Sequence, residues 1–88
     1  MKYIVTIKPK ILKDFVKSPK SVQLKFHTLV KELMLLGPYR ATWPNYSPLS
    51  ARTFHCHLAK RWVACWRWEK GEIEIEVYYA GSREKAPY

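Results

Sequence analysis

The chain has 88 residues, and its 16 Lys+Arg against 7 Asp+Glu leave a net charge of +9. Such a surface repels itself and attracts phosphate polymers, anionic membranes or an acidic protein. The length allows one domain, residues 1–88, burying little more than about 60% of the unfolded surface, and a 48% hydrophobic content with four Trp and six Tyr argues for a packed globule over a disordered tail. No apolar run nears the roughly 20 residues of a membrane span. Tyr3–Ile7 is too short for the apolar part of a signal peptide, so a soluble, cytoplasmic protein with no membrane partner is expected.

In chain order, Lys2–Ile7 (KYIVTI) reads as a first strand, rich in β-branched residues and stopped by Pro9. Ile11, Leu12, Phe15 and Val16 follow at helical spacing, and Pro19 ends that run. Ser18-Pro19 then predicts an N-cap with proline at the first position of a second helix. Along it Val22, Leu24, Phe26, Leu29, Val30, Leu33, Met34 and Leu36 form an apolar stripe, closed by Gly37-Pro38. His27 falls on the polar side. Tyr39–Ala51, with Pro44 and Pro48, reads as an irregular connection pinned to the body by Trp43 and Tyr46. Packing is the favoured role for those two aromatics, ahead of stacking on nucleobases.

Three runs then alternate with a period of two: RTFHCHL, RWVACWRW and EIEIEVYY. If Phe54, Cys56 and Leu58 face the core, Trp62, Ala64, Trp66 and Trp68 share that face. A three-residue connection, Ala59-Lys60-Arg61, pairs Leu58 with Trp62; a two-residue turn would force Arg61 into the core, which is costly. Cys56 and Cys65 fall on opposite faces, so two free thiols are expected. Glu69-Lys70-Gly71-Glu72 makes the next hairpin, with Gly71 supplying the turn. In the last strand Ile73, Ile75, Val77 and Tyr79 point to the core, and AGSREKAPY follows as a basic tail. The expected architecture is α+β in the order β-α-α-β-β-β, two N-terminal helices packed on one face of a small antiparallel sheet.

The other sheet face carries the chemistry. It displays Thr53, His55 and His57, then Arg61, Val63, Cys65 and Arg67, then Glu74, Glu76 and Tyr78, with Arg83, Lys85 and Tyr88 on the tail. Imidazole moves protons near neutrality. Arginine forks match phosphate oxygens and stabilise the charge of a phosphoryl transition state. Lys60, Arg61, Arg67 and Lys85 are the candidate phosphate contacts. Against this, open faces are normally polar, and Glu74 or Glu76 opposite Arg67 reads equally well as a cross-strand ion pair. Zinc needs three or four ligands, which His55, His57 and Cys65 do not assemble, so neither a metal nor another cofactor is expected. From pattern alone, a face that binds a polyanion is the leading reading, ahead of an enzyme.

The stretch from HCHLAKRWVACW through IEIEVYYAGSREKAPY resembles the C-terminal half of toxins of the RelE/ParE superfamily, and is most similar to RelE/HigB-like members. In these a strand ends in a glycine, a small residue and a His or Arg, with a tyrosine several residues on. The helix pair, strand order and length extend the resemblance over the whole chain. It implies a RelE-like twisted sheet and the toxin of a type II toxin–antitoxin system. It further implies ribosome-dependent cleavage of mRNA by 2′-hydroxyl attack, leaving a 2′,3′-cyclic phosphate. The implied partners are the ribosome, mRNA and a cognate, acidic antitoxin. His55 and His57 match the histidines of the second strand, Arg83 the residue after the glycine, and Tyr88 the near-terminal tyrosine; these four are the implied catalytic residues. One departure stands at Val63, where such toxins often carry arginine, so that Arg61 or Arg67 would have to replace it. The alternatives are a non-catalytic toxin that binds a protein such as gyrase, as in the ParE branch, and an RNA-binding or inactive relative.

Overall fold

The computed structural model describes residues 2–88. Strand β1 (Ile4–Ile7) is shorter than the sequence pattern suggests, because the N–H groups of Lys2 and Tyr3 are taken by the Met34 carbonyl at 3.1 and 3.0 Å. Pro9 occupies the first turn of α1 (Pro9–Phe15), where a missing N–H leaves no bond unmade. Ser18 is not the expected N-cap. Its hydroxyl reaches back to the Phe15 carbonyl, and Gln23 Nε2 donates to the carbonyls of Val16 (3.1 Å) and Ser18 (2.8 Å). Both side chains thus serve orphan acceptors at the end of α1, and Pro19 precedes α2 (Lys20–Leu36) without a side-chain cap.

On α2 the buried face is Val22, Phe26, Leu29 and Leu33, at the four- and three-residue spacing of one helical side. Leu24 and Leu36, expected on the same stripe, are 65% and 63% exposed. Leu24 lies about 200° around the helix from Val22, and Leu36 is its last residue. Gly37 closes the helix at φ 95°, and a side chain there would meet the Tyr3 ring at 2.9 Å.

The sheet contains β2 (Ser47–Pro48), β3 (Thr53–Ala59), β4 (Trp62–Arg67) and β5 (Glu74–Ser82), and a 3-10 turn follows at Arg83–Lys85. Its order is β1-β5-β4-β3-β2. All neighbours are antiparallel except β1, which joins β5 in parallel. The α+β arrangement of two helices over an antiparallel sheet is therefore present. It is extended by this parallel edge and by a two-residue strand inside the segment expected to be irregular. That segment is well anchored. Trp43 Nε1 donates to Glu32 at 2.9 Å, and Tyr46 stacks on Phe54 with ring centroids 6.4 Å apart. Both aromatics pack against the core.

Two bulges reset the registers. Phe54 pairs with Trp66, Cys56 with Ala64 and His57 with Val63, but the next pair is Ala59 with Trp62. The β3–β4 connection is therefore the two-residue Lys60-Arg61, not the three-residue turn expected. The extra residue sits in β3 as a bulge, which keeps Leu58 in the core at 1% exposure. A second bulge lies between the pairs Trp66–Val77 and Cys65–Tyr79. It turns Tyr79 off the core face, against the expected alternation, and Ala80 takes the core position. Ala80, Gly81 and Ser82 thus belong to β5 and not to a tail. The core lies between the helices and one sheet face, centred on Trp66, whose Nε1 donates to the Pro38 carbonyl at 3.0 Å.

Candidate functional site

The registers arrange the outer face of the sheet in three rows across β3, β4 and β5: His57–Val63–Gly81, His55–Cys65–Tyr79, and Thr53–Arg67–Glu76. The middle row is covered, not open. Cys65 is fully buried and His55 is 8% exposed. The Tyr88 ring lies over the His55 ring at 4.6 Å, so the tail folds back across the sheet. His55 Nδ1 faces the hydroxyl and carbonyl of Ser47 on β2, each at 3.3 Å. Burial pushes the Cys65 thiol up to about 12, which leaves no thiolate at neutral pH. Burial, the neighbouring Cys65, Tyr79 and Cys56 raise the Tyr88 phenol, against an opposing pull from Arg83, so the phenol keeps its proton.

The first row opens into a cleft of about 270 Å3 lined by Lys25, Pro44, Asn45, His57, Leu58, Ala59, Lys60 and Arg83. Of the residues singled out in the sequence, His57, Arg83 and Lys60 meet here. Desolvation lowers the pKa of His57, and the charges of His55 and Arg83 lower it further, so the imidazole is neutral at physiological pH. Val63 pairs with His57 across the strands and is fully buried where an arginine would be expected from the resemblance. Gly81 completes the row. A side chain there would meet the Tyr79 hydroxyl at 2.9 Å, and that hydroxyl donates to the Ser82 carbonyl. The glycine thus leaves room for the Tyr79 ring to fold along its own strand.

Two lining residues escaped the sequence reading. Lys25 lies on α2, among residues that no sequence pattern marked for the site. Asn45 read as part of a connection, yet it is the one described non-glycine residue with positive φ, 53°. Asparagine tolerates that left-handed conformation better than most. The conformation aims its amide at His57 Nδ1, 3.3 Å away, and the backbone N–H of His57 donates to the Pro44 carbonyl at 2.8 Å. Pro44 marked the segment as irregular, but the contact of Asn45 with a residue 12 positions on was not legible.

The remaining predicted residues lie outside this cleft. Arg61 sits in the Lys60-Arg61 turn, and its carbonyl accepts the Arg83 N–H at 2.8 Å. Lys85 lines a neighbouring cleft with Lys17. Arg67 is at the far end of the sheet, paired with Glu76 at 2.7 Å and held 4.7 Å over the Tyr78 ring. Arg67, a candidate phosphate contact in the sequence, therefore does not line the cleft that holds Arg83. The alternation places it on the right face, but its cross-strand neighbour is a carboxylate. Among the described residues no group of three or more His, Cys, Asp or Glu is placed to hold a metal ion, and no helix is long and apolar enough to cross a membrane.

No protein-family model and no curated protein matches the sequence. Solved structures do match the fold. The archaeal RelE–RelB complex from Pyrococcus horikoshii OT3 superposes with a TM-score of 0.76 at 16% identity, covering 98% of this chain and 100% of that one. A mutant of the E. coli toxin RelE, in complex with a peptide of antitoxin RelBc, gives 0.72 at 14% identity over 93% of this chain and 84% of that one. The YoeB/ParE toxin from Agrobacterium tumefaciens gives 0.69 at 11% identity, over 91% and 98%. Likeness along the whole chain at such low identity is a likeness of architecture, and by it the chain has the fold of the RelE/ParE toxin superfamily.

Proposed function

We propose that this protein is the toxin of a toxin–antitoxin pair and cleaves mRNA on the ribosome, with the Lys25–Asn45–His57–Lys60–Arg83 cleft as its site. The observation that carries the reading is the placement of a neutral imidazole and three cations around one pocket. That set matches what transfer of a phosphodiester onto the adjacent 2′-hydroxyl needs: a proton acceptor and fixed positive charge for the developing dianion. The toxin fold, shared with proteins solved together with RelB or RelBc, supports an antitoxin partner, and the +9 charge suits an acidic one.

In this mechanism His57 Nε2 accepts the 2′-hydroxyl proton. The Asn45 amide, turned so that its oxygen accepts Nδ1–H, holds the required tautomer; the amide oxygen and nitrogen are alike in shape, so the turn needs no movement of the chain. The 2′-oxygen forms a bond to phosphorus, and the bond to the 5′-oxygen breaks. Arg83, Lys60 and Lys25 balance the charge on the phosphoryl oxygens. The 5′-oxygen leaves with a proton, for which the protonated Tyr88 phenol is the candidate donor; His57 then releases its proton to solvent and Tyr88 takes one back, which restores both groups. No water is consumed, and the products are a 2′,3′-cyclic phosphate and a 5′-hydroxyl. His55, buried and tied to Ser47, is a positioning residue that supports Tyr88.

Primer extension on mRNA in a purified translation system tests this, with wild type beside Arg83→Ala. Cuts in the A-site codon are expected from wild type, reduced about 10²- to 10³-fold in the variant. Absence of cuts from folded, antitoxin-free wild type would overturn the nuclease reading in favour of a toxin that binds a protein target.

A further inference from the structure

Two more clefts adjoin the candidate site, and both run between α1 and β5. The nearer, about 360 Å3, is lined by Asp14, Phe15, Lys17, Trp62, Tyr79–Ser82 and Lys85. The farther, about 350 Å3, is lined by Lys8, Lys10, Ile11, Asp14 and Tyr78–Ala80. They share Asp14, Tyr79 and Ala80, so they form one continuous trough. At its near end the 3-10 turn Arg83–Lys85 divides it from the His57 cleft, with Arg83 facing one side and Lys85 the other.

The trough's charge is uncommitted. Among the described residues the ion pairs are Arg40–Glu32, Arg52–Glu69 and Arg67–Glu76, and none uses a lysine. Lys8, Lys10, Lys17 and Lys85 therefore present four ammonium groups outside those pairs, along two clefts with one lining carboxylate, Asp14, while Glu84 stands in the turn that divides them from the His57 cleft. The Tyr79 ring borders both clefts, held by the bond from its hydroxyl to the Ser82 carbonyl at 2.6 Å. A cationic groove with an aromatic ring along it is the combination that binds single-stranded nucleic acid, phosphates on the lysines and a base on the ring.

We infer that the α1–β5 trough is a second binding track, which holds the single-stranded RNA continuing past the phosphate in the His57 cleft. This rests on the RNA-directed reading of that cleft and adds to it where the strand runs: over the Arg83–Lys85 turn, past Lys17 and Tyr79, to Lys10 and Lys8. Asp14 repels the strand at mid-track and limits its affinity.

Binding of 2′-O-methyl oligoribonucleotides, which lack the attacking hydroxyl, tests the track by length. An oligomer of about three nucleotides fills only the His57 cleft, whereas one of about ten reaches the trough. Lys8→Gln/Lys10→Gln/Lys17→Gln is expected to weaken the longer oligomer at least about tenfold at low salt and to leave the short one unchanged. It should also flatten the slope of log affinity against log salt by about 2, from three lost contacts at about 0.7 each. Asp14→Asn removes an exposed charge with no burial at stake, and is expected to tighten the longer oligomer alone by about two- to fivefold. Equal effects on both lengths, or a longer oligomer that binds no tighter than the short one, would overturn the track. Loss of mRNA cutting with the length dependence intact would instead sink the nuclease reading and leave the track standing.

Discussion

The two ends of the sheet's outer face carry the same side chain in opposite surroundings. Arg83 stands at one end in a cleft with two lysines, a histidine and no carboxylate. Arg67 stands at the other, bonded to Glu76, in a larger cleft of about 390 Å3 that also holds Glu69, Glu72 and Glu74. Four of the protein's seven acidic residues gather there, so a chain of net charge +9 still has an anionic corner. The chemical difference between the ends is the sign of the neighbours. An arginine whose charge is already matched on the adjacent strand offers little to a phosphate, while an unmatched one beside Lys60 and Lys25 offers nearly all of it.

The largest effect expected from that contrast is on cutting. His57→Ala should reduce A-site cleavage about 10²- to 10⁴-fold, the range for loss of a positioned general base. Arg67→Ala, tested by the same primer extension, should change it less than about threefold, in line with the small worth of exposed ion pairs. Equal losses would mean that both ends act on one substrate.

The pH profile sharpens the contrast further. His57 must be neutral to accept a proton, and its pKa is lowered from 6.5, first by burial and then by His55 and Arg83. Cleavage should therefore be level through neutrality and fall on acidification with a midpoint below 6.5. Below that midpoint the loss is about tenfold per pH unit, since only the unprotonated fraction works. A midpoint above 6.5 in single-turnover cleavage would mean that another group is the base.

Much of this contrast was legible in the sequence, and the missing parts share a cause. Period-two alternation set His55 and His57 on one face with Cys65, and Cys56 on the other, because a strand's faces follow from counting alone. Counting fails at a bulge, and both bulges fall beside the site: one at Leu58, next to His57, and one that turns Tyr79 outward. Neither leaves a composition signal, since the inserted residues are an ordinary Leu and Tyr. The opposition of Glu76 and Arg67 was visible as an alternative but could not be chosen until the register was known. Asn45 and Lys25 reach the cleft from a loop and a helix distant in the chain, and only tertiary packing brings them there. The fold class, set by long periodic segments, was the more readable part. The site, set by a few cross-chain contacts, was less so.

The smallest expected effect is the most direct attack on the contrast. Glu76→Gln removes the carboxylate from Arg67 and leaves the guanidinium over Tyr78. With both partners partly exposed, at 48% and 32%, the lost pair should cost about 0.2–1 kcal/mol, or a fall in Tm of about 1–8 °C by calorimetry. The freed arginine still sits among Glu69, Glu72 and Glu74, whose field holds RNA phosphates off that end. Cleavage by Glu76→Gln should therefore stay within about twofold of wild type. A several-fold gain would show Arg67 to be within reach of the RNA, restrained only by Glu76. The difference between the ends would then be a matter of one carboxylate and not of where the substrate lies.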